Sequence, residues 1–166
     1  AGNDTVTQNW YWDPVPDDIG SGTMIKVATN ATATIDVNDS SNGTFKIKGA
    51  IVLTQPNGND IWYVNETNRQ IKWTSTGTVT PVKIEYSIDN GGNWSVLNGS
   101  YTGTEGVNTY NWTLIPDRNS ETCLVRVTDN RTGFSMVNDS SNATFSIRPL
   151  INVTEPVLNA NISANS

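Results

Sequence analysis

Residues 82–87 read Val82-Lys83-Ile84-Glu85-Tyr86-Ser87. Val82, Ile84 and Tyr86 alternate with charged residues, the period of two that puts one set of side chains on a single face of a β-strand. The alternation returns in Leu124-Val125-Arg126-Val127 and in Phe145-Ser146-Ile147. Gly, Asn, Asp and Pro punctuate these runs about every ten residues, the spacing of short strands joined by tight turns. No stretch shows sustained 3.6-residue apolar periodicity, so helices are not expected. The pattern predicts strands near 50–54, 60–64, 68–75, 81–87, 93–97, 108–113, 121–128 and 142–147. Seven or eight short strands in about 100 residues point to an all-β fold, a two-sheet antiparallel β-sandwich of immunoglobulin type.

An internal repeat sets the organisation around that core. Val37-Asn38-Asp39-Ser40-Ser41-Asn42 returns one hundred positions later as Val137-Asn138-Asp139-Ser140-Ser141-Asn142, and the match runs on without a gap. Trp12 meets Trp112, Pro16-Asp17 meets Pro116-Asp117, and Val27 meets Val127. Thr44-Phe45 meets Thr144-Phe145, Ile51 meets Ile151, and Thr54 and Pro56 meet Thr154 and Pro156. Over residues 12–59 there are 19 identities in 48 positions, the signature of a tandem repeat. Residues 1–48 then correspond to the back half of a unit, 49–148 to a complete unit, and 149–166 to the opening of the next or a donated strand. Such a chain is expected either to be a window on a longer array or to be completed at its ends by neighbours through strand exchange.

Composition removes many functions. The chain has 166 residues with sixteen acidic and ten basic, a net charge of -6 and a pI near 4.4. Nucleic acid is not an expected partner, because phosphate binding needs clustered Lys and Arg. There is no His, the commonest general base and metal ligand, and the single Cys123 allows neither an internal disulfide nor a cysteine zinc site. No apolar run approaches the length of a membrane span. The sequence opens with neither an initiator Met nor a signal-peptide pattern, as a processed or excised segment would.

Asparagine carries the positive signal. With 22 Asn, 22 Thr and 14 Ser, random scatter predicts about five Asn-x-Ser/Thr acceptor triplets; the chain has thirteen, none with Pro in the middle. They begin at Asn3, Asn30, Asn38, Asn42, Asn65, Asn93, Asn98, Asn111, Asn130, Asn138, Asn142, Asn152 and Asn161. Asn, Ser and Thr also suit turns and polar strand faces, but the excess favours heavy N-glycosylation, and with it an extracellular or cell-surface location. Asn93 and Asn111 precede Trp and are expected to be the poorer acceptors.

Other groups read as structural. Trp73 and Trp112 fit the space between two sheets, Trp94 stands beside a turn, and Cys123 opens a strand as a buried thiol. Paired carboxylates that would make a glycosidase would come from Glu85, Asp89, Glu105, Asp117, Glu121 and Asp129, yet most of these fall at strand ends or turns. A calcium site built on Asp36 and Asp39 should recur one unit later; Asp139 returns, but Met136 stands where Asp36 would be. Calcium therefore has no assignable ligands, and no other cofactor is expected.

Several runs carry a family resemblance. They are Pro56-Asn57-Gly58-Asn59-Asp60-Ile61-Trp62, Ile71-Lys72-Trp73-Thr74-Ser75-Thr76-Gly77, Val82–Ser87, Asn90-Gly91-Gly92-Asn93-Trp94, Tyr110-Asn111-Trp112-Thr113 and Cys123-Leu124-Val125-Arg126-Val127. In order and spacing they resemble the immunoglobulin-like repeats of Ser/Thr-rich bacterial and archaeal cell-wall and surface proteins. The resemblance covers 49–148 and, through the repeat, 12–48 and 149–156. It implies spacers, stalks or fibre building blocks and no catalytic residues. Ser87-x-Asp89-x-Gly91-x-x-Trp94 also fits the Asp-box of sialidase-like propellers, but one box in a period of 100 does not match a propeller's blades.

The expectation is a non-enzymatic, heavily N-glycosylated structural unit of an extracellular fibre or cell-surface stalk. Its partners would be copies of itself or adjacent units of one chain, with linkers Lys48-Gly49-Ala50 and Arg148-Pro149-Leu150. The alternative is a carbohydrate-binding or adhesive module of a large secreted protein, which requires an exposed aromatic row such as Trp10, Tyr11, Trp62 and Tyr63.

Overall fold

The computed structural model describes residues 8–29 and 37–155. In chain order its strands are β1 (Gly20–Thr23), β2 (Lys26–Ala28), β3 (Asn38–Ser40), β4 (Phe45–Ile47), β5 (Ala50–Gln55), β6 (Ile61–Tyr63), β7 (Thr67–Thr76), β8 (Val82–Ser87), β9 (Ser95–Tyr101), β10 (Gly106–Leu114), β11 (Ser120–Asp129), β12 (Asn138–Ser140) and β13 (Phe145–Arg148). The described residues contain no helix, and so none long and apolar enough to cross a membrane.

From residue 50 onward the strands make two sheets. One has the order β10-β7-β5; the other runs β6-β13-β11-β8-β9, with β12 also paired to β11. Every described ladder is antiparallel except that of β13 with β6, where Ser146 lies opposite Ile61 and Arg148 opposite Tyr63. The fold is an all-β sandwich. Leu53, Ile71, Trp73 and Trp112 from the first sheet meet Trp62, Val82, Ile84, Val125, Val127, Phe145 and Ile147 from the second in one buried cluster. Each such side chain contributes about 1.5–3 kcal/mol by leaving water.

The aromatic residues join the sheets. Trp112 on β10 meets Tyr86 on β8 at 4.7 Å between ring centroids and Trp62 on β6 at 5.8 Å, edge-on. Trp73 on β7 meets Tyr101 on β9 at 5.4 Å, also edge-on. These separations and tilts suit the ring quadrupoles. Trp73 and Trp112 are core as expected, and Cys123 is buried, its thiol pushed above the ordinary range by burial.

The expected strands all appear, with one division. The segment predicted at 142–147 is β13, shifted to 145–148, while a separate β12 precedes it at 138–140. Asn138-Asp139-Ser140 carries no apolar alternation, because it pairs with β11 through its backbone and leaves its side chains to other partners.

Replacing Trp73 by Ala opens a cavity in a site with no exposure. Urea unfolding of Trp73→Ala should show a loss of about 3–5 kcal/mol. Val52→Thr, on the exposed face of β5, should stay within about 0.5 kcal/mol of wild type.

Candidate functional site: glycan acceptors, the repeated hairpin and the junction

Asn3, Asn30 and Asn161 lie outside the described residues. The other ten acceptors are Asn38, Asn42, Asn65, Asn93, Asn98, Asn111, Asn130, Asn138, Asn142 and Asn152; all are exposed except Asn98, which is half-buried. Asn108, which begins no acceptor triplet, is buried; its amide nitrogen donates to the carbonyls of Thr104 at 2.8 Å and Gly106 at 3.0 Å. Asn65 sits in the turn between β6 and β7 at φ 62°, a conformation Asn tolerates better than most residues. Three acceptors already use the atom that would carry a sugar. Nδ2 of Asn93 donates to Asp89 at 2.6 Å, that of Asn130 to the Gly99 carbonyl at 2.9 Å, and that of Asn138 to the Ser135 carbonyl at 2.9 Å.

Asn93 belongs to the tight turn between β8 and β9. Asp89 accepts from the Asn93 backbone N–H at 2.8 Å, from Ser87 Oγ at 2.7 Å and from Asn93 Nδ2, and these donors hold its carboxyl down to about 2. Trp94 then folds over the Arg126 guanidinium at 4.1 Å, rather than entering the core. Arg126 in turn hydrogen-bonds the buried Glu85. Burial pushes Glu85 up, but Arg126 and Lys83 outweigh it and hold the carboxyl below its ordinary value.

The carboxylates considered for catalysis are thus occupied or scattered. Glu85 and Asp89 are bound as above, Asp129 is ion-paired with Arg131, and Glu121 with Arg148 at the surface. Glu105 and Asp117 are exposed. Asp36 lies outside the described residues, and among those described no three His, Cys, Asp or Glu group as a metal site. The aromatic row is divided: Trp10, Tyr11 and Tyr63 are exposed, but Trp62 is completely buried against Phe145.

Residues 20–29 and 37–47 reproduce the ladders of β11 with β13 and β12 in register. β1 pairs with β4 with Gly20 opposite Ile47 and Thr23 opposite Phe45; β11 pairs with β13 with Ser120 opposite Ile147 and Cys123 opposite Phe145. β2 pairs with β3 with Lys26 opposite Ser40; Arg126 lies opposite Ser140 in the same way. Side-chain bonds recur as well: the N–H of Ile25 donates to Ser41 Oγ, and that of Val125 to Ser141 Oγ.

In the sandwich built from residue 50 onward, the repeated polar motif holds the end of β5. Asp139 accepts from the Leu53 N–H at 2.7 Å, Ser141 Oγ donates to the Pro56 carbonyl at 2.8 Å, and the Asn142 N–H donates to Asn57 Oδ1 at 2.7 Å. The strong identity of this motif across the repeat was legible in the sequence, but its role was not.

A clamp joins the first hairpins to the sandwich. Asp17 accepts from the Thr78 N–H at 2.8 and 2.9 Å and from Thr78 Oγ1 at 2.7 Å. Gly77 reaches this contact at φ 74°, and at Gly49 a Cβ would collide with Val79 Cγ2. Lys46 Nζ donates to the Gly133 carbonyl at 3.2 Å nearby. In the sequence Pro16-Asp17 stands out only as a match to Pro116-Asp117, because the partner of Asp17 is 61 residues away.

No protein-family model, curated protein or solved structure matches this chain.

The hydrogen bonds from Thr78 hold the Asp17 carboxyl below its ordinary 3.8. A carboxyl lowered in the folded state contributes fully above its ordinary value and loses that contribution as pH falls through the lowered one. Spin labels at Ser21 and Val96, both exposed, should therefore show a broader distance distribution in Asp17→Ala at neutral pH. Wild type should broaden only below about pH 3.8.

Proposed function

We propose that this chain is a non-enzymatic, heavily N-glycosylated building block of an extracellular fibre or cell-surface stalk. It is read as tandem immunoglobulin-like sandwiches of about one hundred residues, with 1–48 the back part of one unit, 49–148 a complete unit and 149–166 the start of another. The observation that carries the reading is the recurrence of the β11–β13 and β11–β12 ladders, residue for residue, in β1–β4 and β2–β3. The sheet order supports the immunoglobulin-like assignment, since three strands face a sheet whose edge strand β6 runs parallel to the last strand, β13.

The mechanism is mechanical and interfacial. The Asp17 clamp and the short linker at Gly49 limit bending between successive units. Acceptors on the edge strands matter most for the coat: Asn98 lies on β9 and Asn111 on β10, each at the edge of its sheet. A glycan there would block edge-to-edge pairing, the main hazard of exposed strands. The adhesive alternative keeps Trp10 and Tyr11 exposed but loses Trp62 from its row.

Glycopeptide mass spectrometry of the native protein tests the reading. Added sugar mass is expected at most of the ten described acceptors, with Asn93 the least occupied because Asp89 holds its Nδ2. Unmodified Asn at most of them would overturn the glycosylated-block reading.

A further inference from the structure

Among the described residues the repeat leaves two halves of one interface unpaired. Ile25, Val27 and Val37 are 42%, 69% and 60% exposed, whereas their counterparts Val125, Val127 and Val137 are 0%, 0% and 8% exposed. β11 has β8 along one edge, with Val127 opposite Ile84; β2 has only β3 among the described residues. Beside that face, Ser41 Oγ donates to its own Gly43 carbonyl at 3.0 Å, where Ser141 reaches Pro56. Among the described residues Asp39 accepts only the neighbouring Ser40 N–H, where Asp139 takes that of Leu53.

The complement stands at the other end of the chain. Leu150-Ile151-Asn152-Val153-Thr154-Glu155-Pro156 matches Ala50-Ile51-Val52-Leu53-Thr54-Gln55-Pro56 in the placement of Ile, Thr and Pro. Ile151 and Val153 are exposed, whereas Ile51 and Leu53 are buried.

We propose that residues 150–156 of a second copy of this chain dock on the face formed by Ile25, Val27 and Val37, joining copies head to tail. The model for the contact is the interface already present between β5 and residues 137–142. The Val153 N–H would donate to the Asp39 carboxylate, and Ser41 Oγ would turn from Gly43 to the Pro156 carbonyl. The bond made by Asn57 has no counterpart, because residue 157 is Val.

Strand lengths favour docking between copies over docking within one chain. Ala50 lies opposite Thr76 at one end of β7, while Arg148 lies opposite Tyr63 beyond the other end. A ten-residue strand is about 33 Å long, and seven residues after Arg148 reach only about 23 Å. A heterologous contact of this kind does not close on itself, so it propagates a filament.

The inference rests on the building-block reading and is tested separately from it, by sedimentation equilibrium of the full chain over a concentration series. Wild type should form concentration-dependent oligomers. Asp39→Ala, which spoils the receiving face, and Val153→Asp, which spoils the donated strand, should each weaken association about tenfold or more. Their mixture should recover a capped dimer, because each variant keeps the half the other lacks. Both residues are exposed, and circular dichroism should show the sandwich intact. A wild type that stays monomeric, association indifferent to both variants, or a mixture that fails to dimerise would overturn the proposal. A monomer that nevertheless carries glycans would leave the building-block reading standing.

Discussion

Val125 and Val127 are buried because β11 has a neighbour on each edge and a second sheet across its face. A two-stranded hairpin has one apolar face and no means of covering it alone, so its stability depends on what is laid over it. The chain contains this hairpin twice. One copy, at 120–148, is closed by the strands of residues 50–114; the other, at 20–47, makes the same ladders and buries Ile47, but leaves Ile25, Val27 and Val37 toward solvent. Most of the molecule's organisation follows from that difference in cover.

Polar chemistry decides which segment provides the cover. Apolar burial is non-directional and would accept many strands. Asp139 and Ser141 are selective because each engages a particular backbone group of β5. A buried donor or acceptor left without its partner costs about 1–3 kcal/mol, enough to favour one register over a slipped one. The Asp17 clamp is a weaker, solvent-exposed device, suited to setting an angle between segments rather than to holding a fold.

Much of the fold was legible in the sequence. The alternation at Val82–Tyr86 and Leu124–Val127 marks strands whose two faces meet different solvents, and turn residues bound them. β12 is not legible there, because Asn138-Asp139-Ser140 takes its place through backbone pairing, which leaves no trace in hydrophobic pattern. Only the adhesive alternative needs Trp62 exposed; its neighbours Ile61 and Tyr63 are exposed, and a three-residue strand is too short for alternation to say which face is inward. The six-residue identity between 37–42 and 137–142 was visible, yet mostly polar residues announce no core, and their partners at 53–57 lie more than eighty positions away. The acceptor triplets were legible outright, since their chemistry is written in three consecutive residues. What sequence could not give was which acceptor nitrogen is already engaged, as at Asn93.

Hydrogen–deuterium exchange on the dilute full chain tests the dependence of each hairpin on its cover most directly. Amides of 123–128 should be strongly protected, and those of 23–28, in the same ladder but uncovered, should exchange orders of magnitude faster. Equal protection of the two segments in a monomeric sample would contradict the account, because it would show that the hairpin is stable without the strands that bury its face.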